Sequence, residues 1–182
     1  MRVLATAIAD VRIIEPQVFD DARGFFFESF NLREFRKATG LNDVQFVQDN
    51  HSRSVSGVLR GLHYQIHHPQ GKLVRVIAGS VFDVAVDLRK SSPHFGQWTG
   101  VELSADNKRQ LWIPAGFAHG FVVTSATAEV LYKTTDYRYA EHERCLLWND
   151  PALGIDWPLD GAPLLSDKDR AGALLANANL FD

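Results

Sequence analysis

The chain is written in short apolar or alternating runs, each stopped by Gly, Pro, Asn or Asp. Runs of this length, with turn residues about every eight to twelve positions, belong to a β-sandwich or barrel. They predict strands at Val11–Ile14, Phe25–Phe30, Gln45–Asp49, Val58–Gln65, Leu73–Ala78, Val81–Leu88, Gly96–Leu103, Gln110–Ile113, Gly120–Val123, Glu129–Thr135 and Cys145–Trp148. Asp20–Gly24 reads as a turn, and the polar cluster Gln48–Ser52 reads as a loop. One helix is expected in the first half, over Leu32–Thr39, capped by Asn31 and ended by Gly40. The tail from Ser166 reads as helical or irregular. Together these describe a mainly β jelly roll with a core over about residues 45–150 and both termini packed on it, in one domain.

The run Phe82–Leu88 alternates, so Asp83, Ala85 and Asp87 share one face. The run is too apolar for a solvated face, so both carboxylates are expected inward or at a rim, with partners. The formal net charge of −3 offers no field for a nucleic acid polymer. The single cysteine, Cys145, excludes an intrachain disulfide and reads as a small strand residue. The first residues carry no apolar leader, and no stretch has the length of a membrane span. A cytoplasmic protein without membrane contact is expected.

Three side chains carry the chemistry. His63 follows Arg60-Gly-Leu, Lys72 follows Gly71, and His119 closes Pro114-Ala-Gly116-Phe-Ala-His119. The last segment matches the second motif of metal-binding cupins, which are double-stranded β-helix proteins. The first cupin motif is altered: Gln65 stands where a second histidine would be, and Lys72 where a glutamate would be. An ammonium beside a divalent ion is electrostatically wrong, and two histidines are too few for a cage. The barrel is therefore expected without metal. In such a pocket a neutral histidine can remove a proton next to a ketone. A lysine ammonium and a second histidine suit the oxygen where charge then develops. That is the chemistry of enolisation and epimerisation.

The segments Asp20–Ser29, Phe46–Ser52, Val58–Gln65, Gln70–Arg75, Phe82–Arg89, Lys108–Phe121 and Leu147–Pro151 together resemble the dTDP-4-dehydrorhamnose 3,5-epimerase family. The likeness runs from about residue 5 to Leu175. It implies a cupin-like homodimer that uses no cofactor and serves dTDP-L-rhamnose biosynthesis. Its substrate would be a dTDP-4-keto-6-deoxy sugar, dTDP-4-dehydro-6-deoxy-D-glucose, inverted at C3 and C5. By the same resemblance His63 is the general base, Asp169 its orienting partner and Tyr132 the acid on the opposite face. Lys72 stabilises the enolate, and His119, held by Asp83, assists at the ketone oxygen. Arg23, Glu28, Gln48, Asp49, Asn50, Arg60, Glu143 and Lys168 match substrate-binding positions.

Two points stay open in the sequence. Where the family carries a base-stacking aromatic, this chain has Arg138, between Tyr137 and Tyr139. A guanidinium plane can stack on a base and add charge near a diphosphate, so Arg138 is expected at the nucleotide end. On a regular strand, Arg60 and His63 point to opposite faces. Either Gly61 carries a bulge or Arg60 reaches the ligand from an edge. Three alternatives accompany the epimerase reading: inversion at C3 or C5 alone, a sugar-nucleotide-binding cupin without catalysis, and a metal cupin oxygenase or isomerase.

Overall fold

The structure, a computed structural model, describes residues 1–182. Its strands are β1 (Arg2–Ala5), β2 (Arg12–Glu15), β3 (Val18–Asp21), β4 (Gly24–Phe27), β5 (Gln48–Val55), β6 (Leu59–Gln65), β7 (Lys72–Ala78), β8 (Ser80–Asp87), β9 (Trp98–Ser104), β10 (Gln110–Ile113), β11 (Phe117–Val123), β12 (Thr127–Thr134) and β13 (Glu143–Cys145). Two helices accompany them, α1 (Leu32–Thr39) and α2 (Asp167–Arg170). No helix is long and apolar enough to cross a membrane.

Two sheets face each other in a cupin-like jelly roll. One has the order β1-β2-β10-β7-β12-β5, the other β13-β6-β11-β8-β9. All pairings within them are antiparallel. Alternation sends Val74, Val76, Ala85, Leu111, Phe121 and Val130 into a shared core between the sheets. Their partners in alternation, such as Val84, Val86 and Leu73, pack outward under other cover. The C-terminal segment, with Leu153 and Trp157, covers the outer face of the five-stranded sheet. Helix α1 covers the other through Phe35, which packs edge-on against Trp112 and Phe46.

Helix α1 matches the sequence expectation for a local reason. The Asn31 side chain accepts from the Arg33 and Glu34 N–H groups, and Gly40 closes the helix at φ 74°. Several strand boundaries differ. β5 starts at Gln48 and runs through the polar cluster expected to be a loop. Its side chains alternate between half-buried and exposed, and polarity alone does not separate that pattern from a loop. Asp20 and Asp21 sit in a strand of the β3–β4 hairpin, so the turn is at Ala22-Arg23. The last strand precedes Leu146 instead of following Cys145. β1 is an additional strand that the sequence reading does not include, and β11 begins early enough to include His119. Asp83 and Asp87 are both fully buried with partners, as their alternation requires.

Candidate active site

The site is built at one end of the space between the sheets. β6 and β11 bring His63 directly opposite His119, so the two rings share the inner face. The next aligned pair is Arg60 with Phe121, so three steps on β6 match two on β11. A bulge at Gly61-Leu62 absorbs the extra residue and returns Arg60 to the face that carries His63. Gly61 has φ 133°, and a Cβ there would lie 2.5 Å from Gly120 Cα. The bulge therefore requires glycine at 61 and close packing against a second glycine at 120. Gly61→Ala is expected to lower stability by roughly 2–4 kcal/mol, read as a shift in the denaturant midpoint.

Each histidine is held by a buried carboxylate. His63 Nε2 lies 2.7 Å from Asp169 Oδ1, and His119 Nε2 lies 2.9 Å from both oxygens of Asp83. Burial raises the Asp169 carboxyl, but hydrogen bonds from His63, Ser166 and the Gly61 N–H outweigh it and hold it at about 2. An ionised carboxylate only accepts. Nε2 of His63 therefore carries the proton, and Nδ1 keeps the lone pair that a general base needs. Burial lowers the His63 pKa below its ordinary 6.5, with Asp169 opposing and Lys168 and Lys72 adding to the fall. The base is thus neutral at physiological pH.

Lys72, on β7, is buried and donates to the His63 carbonyl at 3.2 Å. Burial brings its ammonium down to about 8, although Asp83 and Glu143 pull it back up. Tyr132, on β12, comes from the six-stranded sheet, while His63 comes from the five-stranded one. Burial raises its phenol above 10, so it holds its proton and can give it to a carbanion. His63, Lys72 and Tyr132 line one cleft.

Gln48, Asn50, Gln65, Arg138 and Glu143 also line that cleft. Glu143 takes hydrogen bonds from Arg138 at 2.7 Å and Lys168 at 2.6 Å. Burial raises its carboxyl, yet these two cations bring it to about 2. The Arg138 N–H donates to Gln48, and the Gln65 amide binds backbone groups of His68, Tyr137 and Tyr139. The loop bearing Arg138 is therefore clamped from two strands. Tyr139 stacks on His68 at 4.4 Å and Tyr137 is exposed, so Arg138 is the member of that trio that lines the cleft.

Three expected binding residues lie elsewhere in this chain. Asp49 follows Gln48 and precedes Asn50 on β5, so alternation turns it to the outer face, where it pairs with Lys133. Arg23 is exposed at the β3–β4 turn and pairs with Asp21. Glu28 accepts from the Asn31 side chain near the start of α1. Ser166 was missed: its Oγ donates to Asp169 Oδ2 at 2.6 Å and accepts from the Asp169 N–H. The signal was present as Ser166 followed three residues later by Asp, the spacing of a helix capping box. Gln65 also does more than replace a ligand, since it anchors the Arg138 loop. Cys145 sits opposite His63, and burial pushes its thiol up to about 12, which leaves it inert.

The donor set does not fit a cupin metal. Both histidines already spend Nε2 on carboxylates, Gln65 is spent on the backbone, and the fourth position is the Lys72 ammonium. Fold and site together define a cupin-like barrel equipped for acid–base chemistry at carbon. A family model described as dTDP-4-dehydrorhamnose 3,5-epimerase matches residues 5–177. A dTDP-4-dehydrorhamnose 3,5-epimerase of Pseudomonas aeruginosa is 66% identical over 181 residues, covering 100% of this chain and 99% of that protein. An epimerase of Legionella pneumophila, solved with dTDP-4-keto-L-rhamnose, superposes with a TM-score of 0.94 at 55% identity, over 97% of this chain and 93% of that one. A 3'-monoepimerase of Streptomyces bikiniensis, solved with dTDP-quinovose, has a TM-score of 0.90 at 34% identity, over 99% and 92% of the two chains. The chain belongs to the dTDP-4-dehydrorhamnose 3,5-epimerase family.

Proposed function

We propose that the protein epimerises dTDP-4-dehydro-6-deoxy-D-glucose at C3 and C5, giving dTDP-4-dehydro-L-rhamnose for dTDP-L-rhamnose biosynthesis, with the whole chain acting as one domain. The observation that carries this reading is the placement of His63 and Tyr132 on opposite walls of one cleft. A sugar ring between them meets a base on one face and an acid on the other. His63 Nδ1 takes the proton alpha to the ketone, and Asp169 steadies the imidazolium that forms. Lys72 stabilises the enolate oxygen, and His119, whose Nε2 is held by Asp83, does so from Nδ1 in its doubly protonated form. Tyr132 then protonates the same carbon from the far side, which inverts it.

Arg60, Gln48, Asn50, Lys168, Glu143 and Arg138 would hold the rest of the ligand, with guanidinium groups suited to the diphosphate. Arg138 replaces an aromatic stacking surface with a charged plane at the nucleotide end. Arg23 and Glu28 do not line this chain's own cleft, so a binding role for them would draw on the β3–β4 hairpin and the residue after it in a second copy. That hairpin exposes Phe19, Phe25 and Phe26, a surface suited to a homodimer partner. A cytoplasmic enzyme belongs to the same reading, supported by the lone, inert cysteine.

The product tests the proposal. NMR of the sugar after reaction is expected to show both C3 and C5 inverted. Inversion at one carbon would favour a monoepimerase, and a bound but unchanged sugar would favour a silent binding protein. The pH dependence follows from two groups. His63 must be neutral, so kcat/KM falls as pH drops through its lowered pKa, below 6.5. Lys72 must be charged, so kcat/KM falls again as pH rises through about 8. The expected profile is a bell, and Lys72→Arg is expected to move the alkaline limb upward.

A further inference from the structure

Asp169 reaches the site on a strap of chain that is fixed at both ends. Before α2, the Leu164 N–H donates to Gly57 O at 2.9 Å, and the Leu59 N–H donates to Leu164 O at 3.0 Å. After α2, Ala173 N donates to Cys145 O at 2.9 Å, and Leu147 N donates to Ala173 O at 2.8 Å. These ladders place the strap but not the carboxylate. Helix α2 has four residues, too few to be rigid by itself.

The carboxylate is oriented by its own contacts. Oδ1 accepts from His63 at 2.7 Å and from the Gly61 N–H at 3.2 Å. Oδ2 has one side-chain partner, the Ser166 hydroxyl at 2.6 Å. Asp169 is only 3% exposed, so an Oδ2 without that donor would be a buried acceptor with nothing to accept. The carboxylate would turn to find another donor and loosen its hold on the ring. We infer that Ser166 is a positioning residue for the His63–Asp169 pair, acting through Asp169 to fix which ring nitrogen carries the proton. This rests on His63 being the general base of the proposed epimerase.

Three variants separate this role from helix capping. Ser166→Thr keeps both the acceptor and the donor. Ser166→Asp keeps an acceptor for the Asp169 N–H but, when ionised, brings no donor to Oδ2. Ser166→Ala removes both. Ring ¹⁵N shifts of His63, measured without substrate, report the tautomer. Wild type and Ser166→Thr are expected to show the Nε2–H form, while Ser166→Ala and Ser166→Asp move toward a mixture of tautomers. Those two are expected to lose about tenfold in kcat, with KM within about twofold of wild type. Wild-type ring shifts in Ser166→Asp, or in a folded Ser166→Ala, would overturn the inference whatever the activity. A wild-type kcat in either, on an enzyme shown to epimerise, would do the same. Because the ring shifts need no turnover, a failure of the epimerase reading itself would show separately, as absent activity in the wild type.

Discussion

His63→Asn is expected to lower kcat by about 10²–10⁴-fold while leaving the fold intact. Asparagine is smaller than histidine and fits the half-buried position on β6; its amide ends where Nδ1 does, short of Asp169, whose Oδ1 keeps the Gly61 N–H as a partner. What disappears is the lone pair on Nδ1, the one nitrogen of that ring that Asp169 leaves free. Solvent exchange at both C3 and C5 is expected to fall together, because one base serves both carbons. Steady-state kinetics with a thermal melt check this. A variant that melts like wild type and keeps its rate would remove His63 from the chemistry.

Tyr132→Phe is expected to separate exchange from inversion. The phenol is the acid on the wall opposite His63, held protonated by burial. Without its hydroxyl, His63 can still take the proton and return it, or a deuteron, to the same face. Inverted product is expected to fall by about 10²–10³-fold, with deuterium still entering the unreacted sugar. The measurement is the ratio of deuterium incorporation to inverted product by NMR. If both fell in proportion, Tyr132 would be acting in binding or in the first step, not as the second acid.

The sequence carried the fold wherever local physics decides it. The Asn31 cap, the Gly40 stop and the alternation through Asp83–Asp87 each act within a few residues, and each is where it was expected. Polar strands were less legible. Gln48–Ser52 lacks an apolar face, so nothing separates it from a loop until β12 pairs with it. The Arg60–His63 question needed the partner strand too, because a bulge is defined by register, and only Gly61 hinted at it. Asp169 lies 106 residues from His63, and no periodicity links positions so distant; that pairing came from family resemblance and the structure brings the groups to 2.7 Å. Asp49 shows the converse. Strand alternation alone, once β5 is known to begin at Gln48, turns it away from the cleft. Arg23 and Glu28 are outside the lining of this cleft, and nothing in their residue types reveals that.

In the proposed reaction one cleft exchanges protons at both carbons beside the ketone, from opposite walls. Its most direct test is incubation of the wild-type enzyme with dTDP-4-dehydro-6-deoxy-D-glucose in deuterated water, followed by NMR at C3 and C5. Deuterium is expected at both carbons of the inverted product. Deuterium at only one carbon, or at neither, from folded enzyme with bound sugar, would overturn this mechanism.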